Sequence, residues 1–170
     1  HSFGAACVLG AAQKLPNLRR MILYEPPMLQ EQQSPQRAIL LDRMEQMLAD
    51  GQREQVVITL LRDMLSVPQP MLERIQTMPN WTSQVEAAHT IPRELRQSHC
   101  YAPDLKALEQ ITFPVLFMLG SASPAFFRQT TETLQAHLPN SQIVVLEGQQ
   151  HSAMLTAPEL FANEIIRFLQ

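Results

Sequence analysis

Cysteine is scarce: Cys7 and Cys100 are the only two in 170 residues, too few for a disulfide framework, and nothing else in the sequence points to an oxidising compartment. Reduced thiols in a cytoplasm are the expectation. The cysteines and histidines also lack metal-ligand spacing, and the adjacent pair His99 and Cys100 suits a chelate poorly, so no metal is expected. Long apolar runs are missing as well. The longest stretches, such as Val56 to Leu61, are far too short to cross a bilayer, which leaves no membrane span. Charge of one sign is lacking, because 13 Lys and Arg stand among 16 Asp and Glu for a net charge of -3. No basic footprint is therefore available for nucleic acid or for an acidic membrane surface. No internal repeat or low-complexity segment occurs. What is present, 45% apolar and 17% charged residues, is the composition of a globular domain able to bury a sizeable core.

Two textures alternate along the chain. Gly4 to Leu15 is Ala-rich with few breakers and is followed by Pro16-Asn17, which predicts a buried helix with close backbone packing. Met21-Ile22-Leu23-Tyr24 is a short continuous apolar run closed by Glu25-Pro26-Pro27, the pattern of a parallel strand buried on both faces. Pro26 has no N–H to donate, so pairing ends there. From Ser34 to about Leu108 apolar residues recur at helical spacing (Ile39, Leu40, Met44, Met47, Leu48, then Val56, Val57, Leu60, Leu61, Met64, Leu65). This predicts amphipathic helices, kept short by Pro68, Pro70, Pro79, Pro92 and Pro103. After Pro114 the first texture returns. Val115 to Leu119, closed by Gly120, predicts a second strand; Pro124 to Leu138 a helix; Gln142 to Leu146 a third strand; and Ala157-Pro158-Glu159 the start of a last amphipathic helix. Strands alternating with helices mean an α/β protein with a parallel sheet, interrupted by an all-helical insertion.

This order of parts, with "HSFGAA" entering a helix, "LYEPP" closing a strand, a helical insert, "PVLFMLGSASP", and "VVLEGQQHSAM" before a final helix, resembles the C-terminal half of an α/β-hydrolase over essentially the whole chain. The order Ser, then acid, then His, each after a strand, is the one that family uses. The resemblance implies a partial α/β-hydrolase fold, with core segments 1–33 and 109–170 and a helical cap over 34–108. His1-Ser2-Phe3-Gly4 then reads as the far half of a G-x-S-x-G nucleophile elbow. The chain begins without Met and without a basic and then apolar targeting segment, so a longer parent protein is expected, carrying upstream the first elbow glycine, the leading strands and the second oxyanion donor. A half-sheet with an uncovered apolar edge predicts a homodimer or a swapped assembly, and little hydrolytic activity in the fragment.

By this resemblance Ser2 is the nucleophile, the backbone N–H of Phe3 one oxyanion donor, and His151, in the Gly-Gln-Gln-His loop, the general base. An imidazole suits that role because its ordinary pKa lets it take and return a proton near neutrality. Without the family, His1-Ser2 is a tag remnant or an ordinary helix cap and His151 a surface residue. Gly4 is expected where a Cβ would clash. The third member departs from the family pattern. Relatives usually carry a carboxylate in the loop after the strand ending at Gly120, where this sequence has Ser121-Ala122-Ser123-Pro124. Glu25 occupies the family's second location for the acid. It either orients the imidazole and stabilises the imidazolium or plays a structural hydrogen-bonding role in its loop. His89, His99 and His137 lie on amphipathic helices or at their ends, where a structural role is expected. In the insert, Trp81 and its Met, Leu and Ile neighbours form mostly the cap's own core, an apolar acyl pocket being the other reading.

The implied function is a serine hydrolase that cuts a small-molecule ester or related carbonyl substrate through an acyl-enzyme, without metal or organic cofactor. A cofactor-free oxidative or C–C bond-cleaving relative keeps the same residues. From another class, a non-catalytic α/β-hydrolase-like binding or scaffold protein would account for the loss of the usual acid.

Overall fold

Three short strands form one parallel sheet in a computed structural model that describes residues 1–15, 17–27, 35–100 and 102–170, without the side chains of 98–100. They are β1 (Met21–Tyr24), β2 (Val115–Gly120) and β3 (Ser141–Leu146), in the order β1-β2-β3. Met21 pairs with Val115, and Val115 with Ser141. Every residue of the central strand β2 is buried, which is why its sequence is an unbroken apolar run and not an alternation. The carboxyl ends of all three strands reach the same edge of the sheet, where a parallel α/β sheet gathers its functional groups.

The two faces of the sheet carry separate cores. Helix α1 (Phe3–Ala12) sets Ala5, Leu9 and Ala12 against Met21, Leu23, Val115 and Phe117, joined by Leu134 of helix α8 (Ala125–Ala136) and by Leu138. On the opposite face Tyr24, Leu116, Met118 and Leu146 meet Ala153 of α9 (Ala153–Thr156) and Phe161, Ile165 and Phe168 of α10 (Pro158–Leu169). Successive residues of β1 and β2 thus divide between the faces, the period-two geometry of a strand.

The chain divides into two compact units, His1–Met28 with Ala102–Gln170, and Leu29–Tyr101. The second is all-helical among its described residues. It contains α2 (Pro35–Ala49), α3 (Arg53–Thr59) continued by a π-helical turn (Leu60–Met64), α4 (Gln69–Gln76), α5 (Trp81–Glu86), a 3₁₀ turn (Ala87–Thr90) and α6 (Ile91–Cys100). Pro70 sits second in α4, where a missing N–H removes no helical hydrogen bond. Leu41, Met44, Val56, Val57, Ile75, Trp81 and Ala88 make this unit's own core. Trp81 is buried there, its Nε1 donating to Glu54 at 3.0 Å. Arg96 ties α6 to α2 through Asp42 at 2.6 Å and Glu45 at 2.7 Å, holding the Glu45 carboxyl below its ordinary range.

Three features differ from the sequence expectation. Helix α1 stops at Ala12, short of Leu15, because Lys14 and Leu15 turn back in i→i−3 bonds to Ala11 and Ala12, and a residue preceding proline is pushed out of the helical region. The short helix α7 (Leu105–Leu108), assigned from sequence to the insert, belongs to the first unit, because Leu108 is buried in the sheet-side core beside Ile111. Helix α9 starts at Ala153, between the Gly148 to His151 loop and the last helix, where the sequence reading assigned no element. The start of the insert at Ser34 and the adjacent side chains of His99 and Cys100 lie outside what is described. His89 Nδ1 pairs with the Glu86 carbonyl at 3.0 Å and His137 Nδ1 with Glu109 at 3.1 Å, both exposed. Among the described residues no helix is long and apolar enough to cross a membrane, and no cluster of three or more His, Cys, Asp or Glu could hold a metal ion.

Candidate active site

Glu25 leaves the end of β1 with φ at +46°, a left-handed conformation that a non-glycine residue holds only when its surroundings over-determine it. Three contacts do so. Its own N–H donates to the Met118 carbonyl at 3.2 Å, its Oε1 accepts the Gly120 N–H at 2.7 Å, and its Oε2 stands 2.5 Å from His151 Nδ1. The carboxylate is fully buried. A carboxylate can only accept, so the Nδ1 proton points at Glu25 and the lone pair of the neutral ring lies on Nε2, the tautomer of a general base.

Two rings pack against that of His151. Phe127 stacks on it at 4.4 Å between centroids and 15° between planes, and the His1 ring lies 4.4 Å away, tilted by 46°. His1 Nε2 also bonds the His151 carbonyl at 2.8 Å. The Tyr24 hydroxyl donates to the Gln150 carbonyl and accepts the Ala153 N–H at 3.3 Å. Burial, and then the neighbouring Glu25 charge, push its phenol well above the ordinary tyrosine range.

Ser2 has φ +52° and ψ −129°, outside the regions open to ordinary L-residues. Its N–H donates to the Tyr24 carbonyl at 2.9 Å, and its carbonyl accepts from Ala5 at 2.9 Å and Ala6 at 3.2 Å. Its hydroxyl makes no cap hydrogen bond to α1, and its backbone lacks the extended geometry of a capping residue. The strained turn therefore presents the hydroxyl without using it to end the helix. No hydrogen bond joins Ser2 to His151 among the described residues. Ser2 reaches the same corner through its neighbours, by its own bond to Tyr24 and by the His1 ring against His151. Among the described residues the Phe3 N–H, first in α1, meets no backbone acceptor, as expected for an N–H at the positive end of a helix.

Gly4 does not play its expected part. A Cβ there would meet no atom within 4 Å, so nothing described requires glycine at that position. The tight glycine is Gly120. A Cβ there would collide with the Gln149 carbonyl oxygen and come 2.8 Å from Ser123 Oγ. The loops after β2 and β3 are also joined by Ala122 N–H to the Gln149 carbonyl at 2.9 Å and Gly148 N–H to Ser121 Oγ at 2.8 Å. Among the described residues Ser123 Oγ is buried without a hydrogen-bond partner.

Sequence reasoning missed His1, Tyr24, Phe127 and Gly120. Two had a signal in plain view, since His1 and Tyr24 directly precede the proposed nucleophile and acid. Phe127 had none, because α8 reaches His151 only through the folding of the sheet.

No protein-family model and no curated protein matches the chain. Solved structures do. An α/β hydrolase from Sphaerobacter thermophilus is 28% identical with a TM-score of 0.80, over 99% of this chain and 65% of that one. This chain has, in part, the α/β-hydrolase fold. An α/β hydrolase enzyme from a Medee basin deep-sea metagenome library (19% identical, TM-score 0.71, 98% of this chain and 62% of that) and a lipase-esterase related protein from Clostridium acetobutylicum (20%, 0.62, 99% and 63%) share it. This chain thus spans less than two thirds of the length of each of these neighbours.

Proposed function

We propose that this chain carries the nucleophile, base and acid of a serine hydrolase acting on a small-molecule ester or related carbonyl compound. The observation that carries the reading is the buried Glu25 bonded to His151 Nδ1 at 2.5 Å, because a carboxylate in that position leaves Nε2 free to take a hydroxyl proton. In this reading the Ser2 oxygen attacks the substrate carbonyl carbon while its proton passes to His151 Nε2. The Phe3 N–H donates to the oxyanion that forms. Collapse of the intermediate expels the leaving group, which takes the proton back from His151 and leaves an acyl ester on Ser2. Water, deprotonated by the same imidazole, then releases the acid and restores the hydroxyl. The chemistry asks for no metal or organic cofactor.

A fluorophosphonate probe applied to the natural polypeptide that carries this sequence tests the reading. Labelling at Ser2 that is lost in Ser2→Ala supports it; a folded protein that does not label supports the binding or scaffold alternative. A cytoplasmic location remains part of the proposal and rests on the two cysteines alone. So does self-association. In the sheet order β1-β2-β3 each outer strand has one edge without a partner among the described residues, and such edges accept a further strand. Sedimentation of this chain at micromolar concentration as a monomer would contradict the homodimer or swapped assembly.

A further inference from the structure

We propose that Tyr24 is a positioning residue for His151: its phenol fixes the loop that carries the imidazole against the same strand end that supplies Glu25. The proposal rests on the reading of His151 as a general base and adds the question of what holds that base in place. Two bonds meet at the one hydroxyl. It donates to the carbonyl of Gln150, immediately before His151, and accepts the N–H of Ala153, two residues after it and first in α9. The His151 backbone is therefore bracketed by one side chain. Because Tyr24 and Glu25 are consecutive, one short piece of backbone sets both the loop height and the carboxylate position, so the Nδ1–Glu25 contact does not depend on independent placement of two loops. The phenol ring is itself fixed, stacked with His1 at 5.1 Å and edge-on to Phe161 at 5.2 Å. It is buried, so water offers a poor substitute for either bond. Its raised pKa keeps the hydroxyl protonated, and so able to donate, throughout the neutral range.

Tyr24→Phe tests this in the chain as it stands, since it keeps the ring and removes only the hydroxyl. The readout is the His151 Nδ1 proton by NMR, together with its exchange with water. Loss of two hydrogen bonds bracketing the residue should speed that exchange by about tenfold or more. Leu134→Val, chosen on the other face of the sheet, should leave it unchanged even where it lowers the melting temperature as much. Unchanged exchange in Tyr24→Phe overturns the positioning role. If Tyr24→Phe does not fold, the hydroxyl proton of Tyr24 in the unsubstituted chain decides: slow exchange with water supports the role, and exchange as fast as in free tyrosine overturns it. Failure of the hydrolase reading is separable, because a chain in which Ser2 never labels but Tyr24→Phe loosens the Nδ1 proton retains the positioning role without the chemistry.

Discussion

Glu25 and His151 are 126 positions apart in sequence, yet their side chains meet at 2.5 Å, with the carboxylate wholly buried. The second carboxylate oxygen is occupied by the Gly120 N–H at 2.7 Å, so the oxygen facing His151 has little freedom to turn away. Three segments, the ends of β1 and β2 and the loop after β3, converge on this one side chain.

Glu25→Gln should slow labelling of Ser2 on the order of 10³- to 10⁴-fold with the fold retained. The amide oxygen can keep the Gly120 bond, but the amide nitrogen then faces Nδ1 and can only donate to it. The ring proton moves to Nε2, and the lone pair needed for the hydroxyl proton is lost. Labelling kinetics followed by mass spectrometry measure this, and a loss of less than tenfold would remove Glu25 from the proposed triad.

Ser2→Gly and Ser2→Ala should part company in stability. Both remove the hydroxyl, but only glycine is at ease at φ +52°, ψ −129°, where other residues pay roughly 1 to 3 kcal/mol of strain. Denaturant unfolding should rank Ser2→Gly above both Ser2→Ala and the unsubstituted chain. Equal stability of the two variants would mean that the turn is unstrained.

Two glycines should respond in opposite senses. Gly4→Ala, in a helix with open space around it, should stabilise by about 0.5–1 kcal/mol. Gly120→Ala should destabilise by about 1–3 kcal/mol, because its Cβ meets the Gln149 backbone, and it should slow Ser2 labelling by displacing the loop two residues before His151. Melting temperatures and probe kinetics on the pair check both.

Stability should fall with rising pH in the alkaline range, and Tyr24 should be one cause. Its folded-state pKa is raised above the ordinary value of 10.0 by burial and by Glu25. Above that value the unfolded chain has released the phenol proton while the folded chain retains it, so the unfolded state binds fewer protons and stability declines. The contribution is complete below the unfolded pKa and is lost as pH climbs toward the folded one. Denaturant midpoints taken between about pH 9 and about pH 11 should decline less in Tyr24→Phe than in the unsubstituted chain.

The sheet was legible because burial writes itself into composition. Val115 to Gly120 must be apolar at every position since both faces are covered, and the apolar run of β1 follows by the same logic, while the last helix shows itself by the period of its apolar residues. Element ends were less legible: α1 stops at Ala12 and α9 appears after His151, since a turn of backbone hydrogen bonds leaves almost no mark on residue type. Gly4 and Gly120 make the point for the site. Gly4 is the second residue of α1 and Gly120 the last of β2, and the one that needs to be glycine is identified by the Gln149 carbonyl, which arrives from a different loop.

By itself the sequence determined the class of fold and the residue types available for chemistry, because periodicity and apolar runs record local burial. Whether Glu25 turns toward His151 or serves only its own loop was left open at that level. Tertiary structure decided the contact. The Gly120 N–H, the Phe127 and His1 rings and the Tyr24 hydroxyl come from distant segments, and a side chain's direction is set by the sum of such neighbours and not by the residues beside it in the chain.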